Sequence, residues 1–248
     1  MKSEVGLIGY GRFGKLAARK LKKYFKMCVF DPQPMKTPEE GIEAVSLEKA
    51  ASKELVIVAV PINQMASVLK SMSPHVQAGS LICDVCSVKE QPAEWMKNIL
   101  PPYVSILGTH PLFGPDTASV NISGKIIFFC PIRIKNDMLE AVRSTLVQQS
   151  LIVHQLSPTE HDLLMAKTLF VTQLIGRSLA SMELPNTIYS TQHYKQLREI
   201  VQVAENDSDE LFIDMYHYNR YAKKVYQKYM VDSRKISMQL EPMGVAGL

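Results

Sequence analysis

Residues 4–14, EVGLIGYGRFG, narrow the possible folds more than any other stretch of the chain. A short apolar run ends in glycines at positions 9, 11 and 14, and apolar side chains then recur at helical spacing (Phe13, Leu16, Ala17, Leu21). A strand, a Gly-x-Gly-x-x-Gly turn and a helix in this order suit a nucleotide pyrophosphate. Gly9 permits the tight turn. Gly11 lets the backbone come close to a phosphate, and Gly14 lets helix and strand pack closely. The helix N-terminus offers amides and the positive end of its dipole.

The first half continues in the same manner. MCVFD, LVIVAVP (55–61), SLICDV (80–85), VSILG (104–108) and KIIFFCP (125–131) are apolar runs of about strand length, separated by helical patterns. Continuous runs of this kind read as strands buried on both faces. Strand–helix alternation then predicts an α/β fold with a Rossmann-type doubly wound, mostly parallel sheet. The pattern changes near residue 155. SPTE (157–160) is a capping box: Ser157 caps, Pro158 opens the helix and Glu160 reaches back. One helix is expected from there to about Met182, apolar on more than one side, followed by helices over roughly 191–204 and 207–231. The expected organisation is a dinucleotide-binding domain at 1–155, an all-helical C-terminal domain for substrate binding and dimerisation at 156–240, and a frayed tail at 241–248.

Composition excludes several classes. The net charge of +4 on 248 residues is too small and too dispersed for a nucleic-acid surface. No apolar run is long enough to span a membrane, and no secretory leader is visible, so a cytoplasmic protein is expected. Cys83 and Cys86 form a C-x-x-C, but no second pair and no nearby histidine completes a zinc site. Reduced structural thiols and no metal are expected.

Cofactor contacts are assigned to Gly9, Gly11, Arg12, Phe13 and Gly14 in the loop, to Asp31 at the end of the second strand, and to Val60 and Pro61 after a later one. An acid at Asp31 accepts hydrogen bonds from the ribose hydroxyls of NAD and repels a 2′-phosphate. NAD is therefore favoured, with NADP as the alternative should Lys36 or Arg12 reach a phosphate. In such sheets ligands lie beyond the carboxyl ends of the strands. Two of those ends carry Ser87 and His110, the latter in a loop, GTHPLFGPD, stiffened by Pro111 and Pro115. A hydroxyl and an imidazole are what is needed to hold a substrate hydroxyl and take its proton as hydride leaves carbon.

GYGRFG, DVCSVK, GTHPLFGPD and SPTEHDLLMAKTLFVTQLIGR occur in this order. Together they resemble the prephenate and arogenate dehydrogenases of tyrosine biosynthesis, nearest the plant and cyanobacterial arogenate-type branch, over roughly residues 5–230. The resemblance implies oxidative decarboxylation. Hydride passes from ring C4 to NAD(P)+, CO2 leaves C1, and 4-hydroxyphenylpyruvate or tyrosine forms. His110 would accept the hydroxyl proton, and Ser87 would hold the same hydroxyl or orient His110. Thr172, Gln173 and Arg177 would bind substrate, Gln173 and Arg177 sharing a helix face at i, i+4. His161 also matches the family pattern and is read as bracing the domain junction. Many relatives carry histidine where this chain has Gln173, which leaves prephenate against arogenate open. A small-molecule substrate and a homodimer through the helical domain are the expected partners. The competing readings are another short Rossmann dehydrogenase or imine reductase, and a non-catalytic NAD-binding sensor.

Overall fold

The computed structural model describes residues 2–33, 39–118 and 120–240, so Lys36 and the 241–248 tail lie outside the described residues. The chain forms two compact units, divided between Asp162 and Leu163.

In the first unit the elements alternate as the apolar runs require. They are β1 (Glu4–Ile8), α1 (Arg12–Leu21), β2 (Lys26–Phe30), β3 (Ile42–Ala44), α2 (Leu47–Ala51), β4 (Leu55–Val58), α3 (Ile62–Met72), β5 (Leu81–Asp84), α4 (Glu90–Ile99), β6 (Ser105–Pro111), α5 (Pro115–Ala118), β7 (Ile126–Arg133), α6 (Asn136–Gln148) and β8 (Ile152–Gln155). They build one eight-stranded sheet in the order β3-β2-β1-β4-β5-β6-β7-β8. All neighbours are parallel except β6 and β7. The order reverses beside β1, which puts the crevice for a ligand at the carboxyl ends of β1 and β4. Val5, Leu7, Met27, Val29, Ile82, Ile106 and Phe129 are buried. Burial on both faces explains their unbroken hydrophobic runs.

The antiparallel pair corrects one expectation. His110 does not sit in a loop. β6 outlasts its parallel partner, whose register ends at Asp84 opposite Gly108, and its last residues pair with β7, His110 opposite Phe128. Strand alternation then fixes side-chain direction. Thr109 and Pro111 point to a cavity of about 450 Å³ that also touches α1 and α6. His110 points to the other face, the one shared with Asp84.

The capping box forms as expected. Ser157 N–H donates to Glu160 Oε2 at 2.8 Å, and Glu160 N–H donates to Ser157 Oγ at 3.2 Å, opening α7 (Pro158–Lys167). Ser157→Ala is expected to cost about 1 kcal/mol, lowering the melting temperature by roughly 2–4 °C. Differential scanning calorimetry checks this, and an unchanged melting temperature contradicts the role given to the box.

The second unit holds the end of α7, α8 (Leu169–Ala180), α9 (Gln192–Asn206), α10 (Asp209–Tyr218) and α11 (Ala222–Leu240). The single helix expected to Met182 is two. Thr168, between the two, departs from ideal helical angles (φ −115°, ψ −79°) while its Oγ1 donates to the Leu164 carbonyl at 2.8 Å. A β-branched hydroxyl residue that bonds back in this way favours a bend. The helix expected over 207–231 is likewise divided, because Asn219 Oδ1 accepts from Tyr221 N–H in an Asx turn. Phe170, Leu174 and Met215 form the core of this unit, with Phe170 stacked on Phe212 at 5.6 Å. Gly176 lets α8 meet α9 closely, since a Cβ there would lie 2.6 Å from Ala204 Cβ.

Candidate active site

The glycine loop joins β1 to α1. Gly9 adopts φ +100°, and a side chain there would strike the Ala59 carbonyl. A Cβ at Gly14 would strike the Gly9 carbonyl, so helix and turn touch as the motif requires. Gly11 has open space beside it and caps α1 without a side chain. The first-turn amides of α1 therefore have no side-chain cap to satisfy them. A cleft of about 670 Å³ lies here, lined by Gly9, Gly11, Asp31, Val60 and Pro61 among others. Asp31 sits at its rim, accepting from Tyr10 N–H at 2.6 Å and Gln33 N–H at 2.8 Å. Arg12 pairs with Asp116 at 2.9 Å, and Phe13 lines the apolar cavity rather than the cleft.

The second cluster lies at the ends of β5 and β6. Asp84 is buried as the last residue of β5 and forms an ion pair with Lys89, itself 1% exposed. Asp84 also accepts from Cys86 N–H at 3.0 Å and Thr109 N–H at 3.3 Å. The Lys89 stem crosses Gly108, where a Cβ would meet its Cδ at 3.3 Å. His110 is buried on the same face. Its Nδ1 lies 2.8 Å from Nε2 of His161, whose Nδ1 lies 2.8 Å from Oδ1 of Asp162. Asp162 in turn accepts from Lys89 N–H at 2.6 Å and Glu90 N–H at 2.9 Å, capping α4. Phe128 packs on His161 edge to face at 5.7 Å.

Burial holds the proton affinity of His110 well below the ordinary histidine value, and His161 and Lys89 push it the same way. Burial also lowers His161, while its bond to Asp162 opposes that. Both rings are thus neutral near pH 7, the state a base requires. The Ser87 Oγ is buried between β5 and α4 with no hydrogen-bond partner and does not bond His110. The ring that engages His110 is His161, for which the sequence alone suggests a brace at the domain junction. The available signal was the Asp beside it: a carboxylate next to a histidine is the usual means of fixing an imidazole tautomer.

The four cysteines are buried and none is in a disulfide, and burial pushes the Cys83 thiol up to about 12, so it stays protonated.

In the second unit Gln173 and Arg177 do share a face. Gln173 Nε2 donates to Asp207 Oδ2 at 2.7 Å. Arg177 donates to the carbonyls of Asp207 and Ser208 at 2.8 and 2.9 Å, pairs with Asp209 and stacks on Phe212. Thr172 Oγ1 donates back to the Thr168 carbonyl at 3.0 Å. All three are therefore used in bonds within this unit. Gln173 Oε1 and Arg177 Nε are buried without a partner.

The chain is similar to known proteins in its domains and its fold. Residues 18–129 match the prephenate dehydrogenase nucleotide-binding domain family, and residues 178–242 match the TYRAAT1-like C-terminal domain family. The chain is 26% identical to arogenate dehydrogenase 1, chloroplastic, of Arabidopsis thaliana, over 96% of its own length and 39% of that protein's. It is 28% identical to a probable arogenate/prephenate dehydrogenase of Methanocaldococcus jannaschii, over 92% of its own length and 54% of that protein's. The chain thus spans between about two fifths and just over half of these relatives. Among solved structures, Aquifex aeolicus prephenate dehydrogenase in complex with hydroxyphenyl propionate and NAD+ superposes with a TM-score of 0.73 at 17% identity, covering 97% of this chain and 91% of that one. Synechocystis arogenate dehydrogenase superposes with a TM-score of 0.64 at 20% identity, covering 96% and 94%. These likenesses establish the fold. With the matched domain and the relatives in hand, the likeness to prephenate and arogenate dehydrogenases runs along most of the chain.

Proposed function

We propose that this chain carries out the NAD-dependent oxidative decarboxylation of prephenate or arogenate, with His110 as proton acceptor. The observation that carries the reading is the state of His110: buried, neutral, and bonded through Nδ1, so that Nε2 is the nitrogen left for a substrate hydroxyl. The residues at the glycine loop fit a dinucleotide. Gly11 leaves room for a pyrophosphate, α1 presents its N-terminus, and Asp31, Val60 and Pro61 line the cleft. When bound, the oxidised nicotinamide supplies a hydride acceptor. His110 takes the proton of the C4 hydroxyl through Nε2. Ser87 donates to the same oxygen with a hydroxyl that has no other partner. Burial, and after it the neighbouring His161 and Lys89, hold His110 unprotonated before reaction. Burial of these groups excludes water.

Thr172, Gln173 and Arg177 are assigned to substrate binding. The unpartnered Oε1 of Gln173 and Nε of Arg177 support this, since they are hydrogen-bonding capacity not used by the protein. We assign residues 1–155 to cofactor binding and 156–240 to substrate binding and dimerisation, in a cytoplasmic homodimer. The exposed apolar residues Ile236, Met238 and Leu240 on α11 support the dimer. No helix among the described residues is long and apolar enough to cross a membrane.

Product identification tests the reaction. The chain, NAD+ and either substrate should yield equal amounts of CO2, reduced nicotinamide and an aromatic product, 4-hydroxyphenylpyruvate or tyrosine. Oxidation without CO2 release contradicts the proposal. For the cofactor, Asp31→Ser should raise relative efficiency with NADP at least about tenfold, the worth of one lost charged contact. An unchanged NAD to NADP ratio removes Asp31 from the ribose site.

A further inference from the structure

Accepting His110 as the base, we propose that His161 and Asp162 form a proton relay behind it. They fix the tautomer that makes Nε2 basic, and they receive the proton that His110 takes. The argument begins at Asp162. Both its oxygens accept backbone amides at the start of α4, from Lys89 at 2.6 Å and from Glu90 at 2.9 Å. With both oxygens engaged as acceptors of backbone N–H groups, the carboxylate meets the imidazole as an acceptor too. The Nδ1 of His161, 2.8 Å from Oδ1, must therefore carry hydrogen. In a neutral ring its Nε2 is then an acceptor. His110 Nδ1 lies 2.8 Å from that acceptor, so it must be the donor. The lone pair of His110 is left on Nε2. Each assignment follows from the one before, and none depends on the substrate.

The same chain gives the proton a destination. As the substrate hydroxyl gives its proton to Nε2 of His110, the Nδ1 proton passes to Nε2 of His161. Two protons have each moved across one hydrogen bond, a net transfer of one from the substrate to His161: two N–H bonds have formed as one O–H and one N–H broke. The accompanying two-electron oxidation is the one described above, with NAD+ as oxidant, and the relay moves protons only. Positive charge then rests on His161, against Asp162, rather than on His110. The charged groups facing the two rings are Lys89, Asp84 and Asp162. Of these, only Asp162 bonds a ring, and the ring is that of His161. His161 and Asp162 are positioning residues, since both act through His110.

Nitrogen-15 NMR of histidine-labelled, cofactor-free protein reads the tautomers directly, with His110→Asn assigning the His110 signals. The expected result is Nδ1–H on both His110 and His161. His161→Gln retains an acceptor for His110, and His161→Phe fills the space without one. The tautomer should persist in the first and be lost in the second. In turnover, His161→Phe should reduce kcat by about 10²–10⁴-fold, and His161→Gln should recover roughly tenfold or more of that loss. Asp162→Asn removes the charge that favours the protonated pair, so the acid limb of kcat/KM should move to lower pH by about one unit. An Nε2–H tautomer at His110 overturns the proposal. So does an unmoved acid limb in Asp162→Asn, or equal kcat in His161→Gln and His161→Phe. The expected tautomers without turnover on either substrate would overturn the functional reading and leave the bond assignment standing.

Discussion

His110→Asn is expected to lower kcat by about 10²–10⁴-fold while NAD+ binds with nearly unchanged affinity. The separation follows from the fold. His110 is on β6, whereas the dinucleotide cleft is built by the ends of β1, β2 and β4, with none of its lining drawn from β6. Isothermal titration with NAD+ alongside steady-state kinetics checks both halves. A variant that folds but loses NAD+ affinity contradicts this division of roles. The substitution also alters the acid response. His110 and His161 both hold proton affinities below the ordinary value of 6.5. The unfolded chain therefore binds more protons than the native one as pH falls below about 6.5. The stability gained by keeping these rings neutral is complete above that pH and is lost as pH drops toward the native values. Removing one ring should flatten the slope, measured by urea unfolding across that range.

The second large effect is expected at Lys89. Lys89→Met keeps the volume of the stem but leaves Asp84 buried, with the amides of Cys86 and Thr109 as its remaining partners in this network. Removing one partner of a buried ion pair costs about 3–5 kcal/mol, a fall in melting temperature of roughly 10 °C for a chain of this size. The double variant Asp84→Asn, Lys89→Met should recover part of that loss, because no charge is then stranded. A loss below about 1 kcal/mol in the single variant would mean that Asp84 is not held as a buried carboxylate. Any residual activity should show its acid limb at higher pH, since a positive charge facing His110 has gone.

The sheet was legible because each strand is an apolar run buried on both faces, and the glycine loop because its backbone demands exclude other residues. β3 and β8 were not read. The first has three residues, and the second is mostly exposed, so neither carries a hydrophobic signal. The placement of His110 on a strand was hidden for a different reason. Its pairing depends on β7, some twenty residues later, and not on local pattern. The break at Thr168 was hidden because one hydroxyl bonding back to its own helix decides it. At the site, residue type picked out His110 and Ser87. It gave no means of seeing that Asp162 reaches across to the start of α4, or that Lys89 is buried beneath Gly108. Those are tertiary bonds between segments some seventy and twenty residues apart.

The most direct measurement is the rate of nicotinamide reduction by the purified chain at saturating NAD+, with prephenate and with arogenate, beside His110→Asn under the same conditions. The account predicts reduction with at least one substrate by the wild-type protein, and near loss of it in the variant. No reduction with either substrate, in protein shown to bind NAD+, would contradict the dehydrogenase reading. Equal rates in the two proteins would contradict His110 as the base.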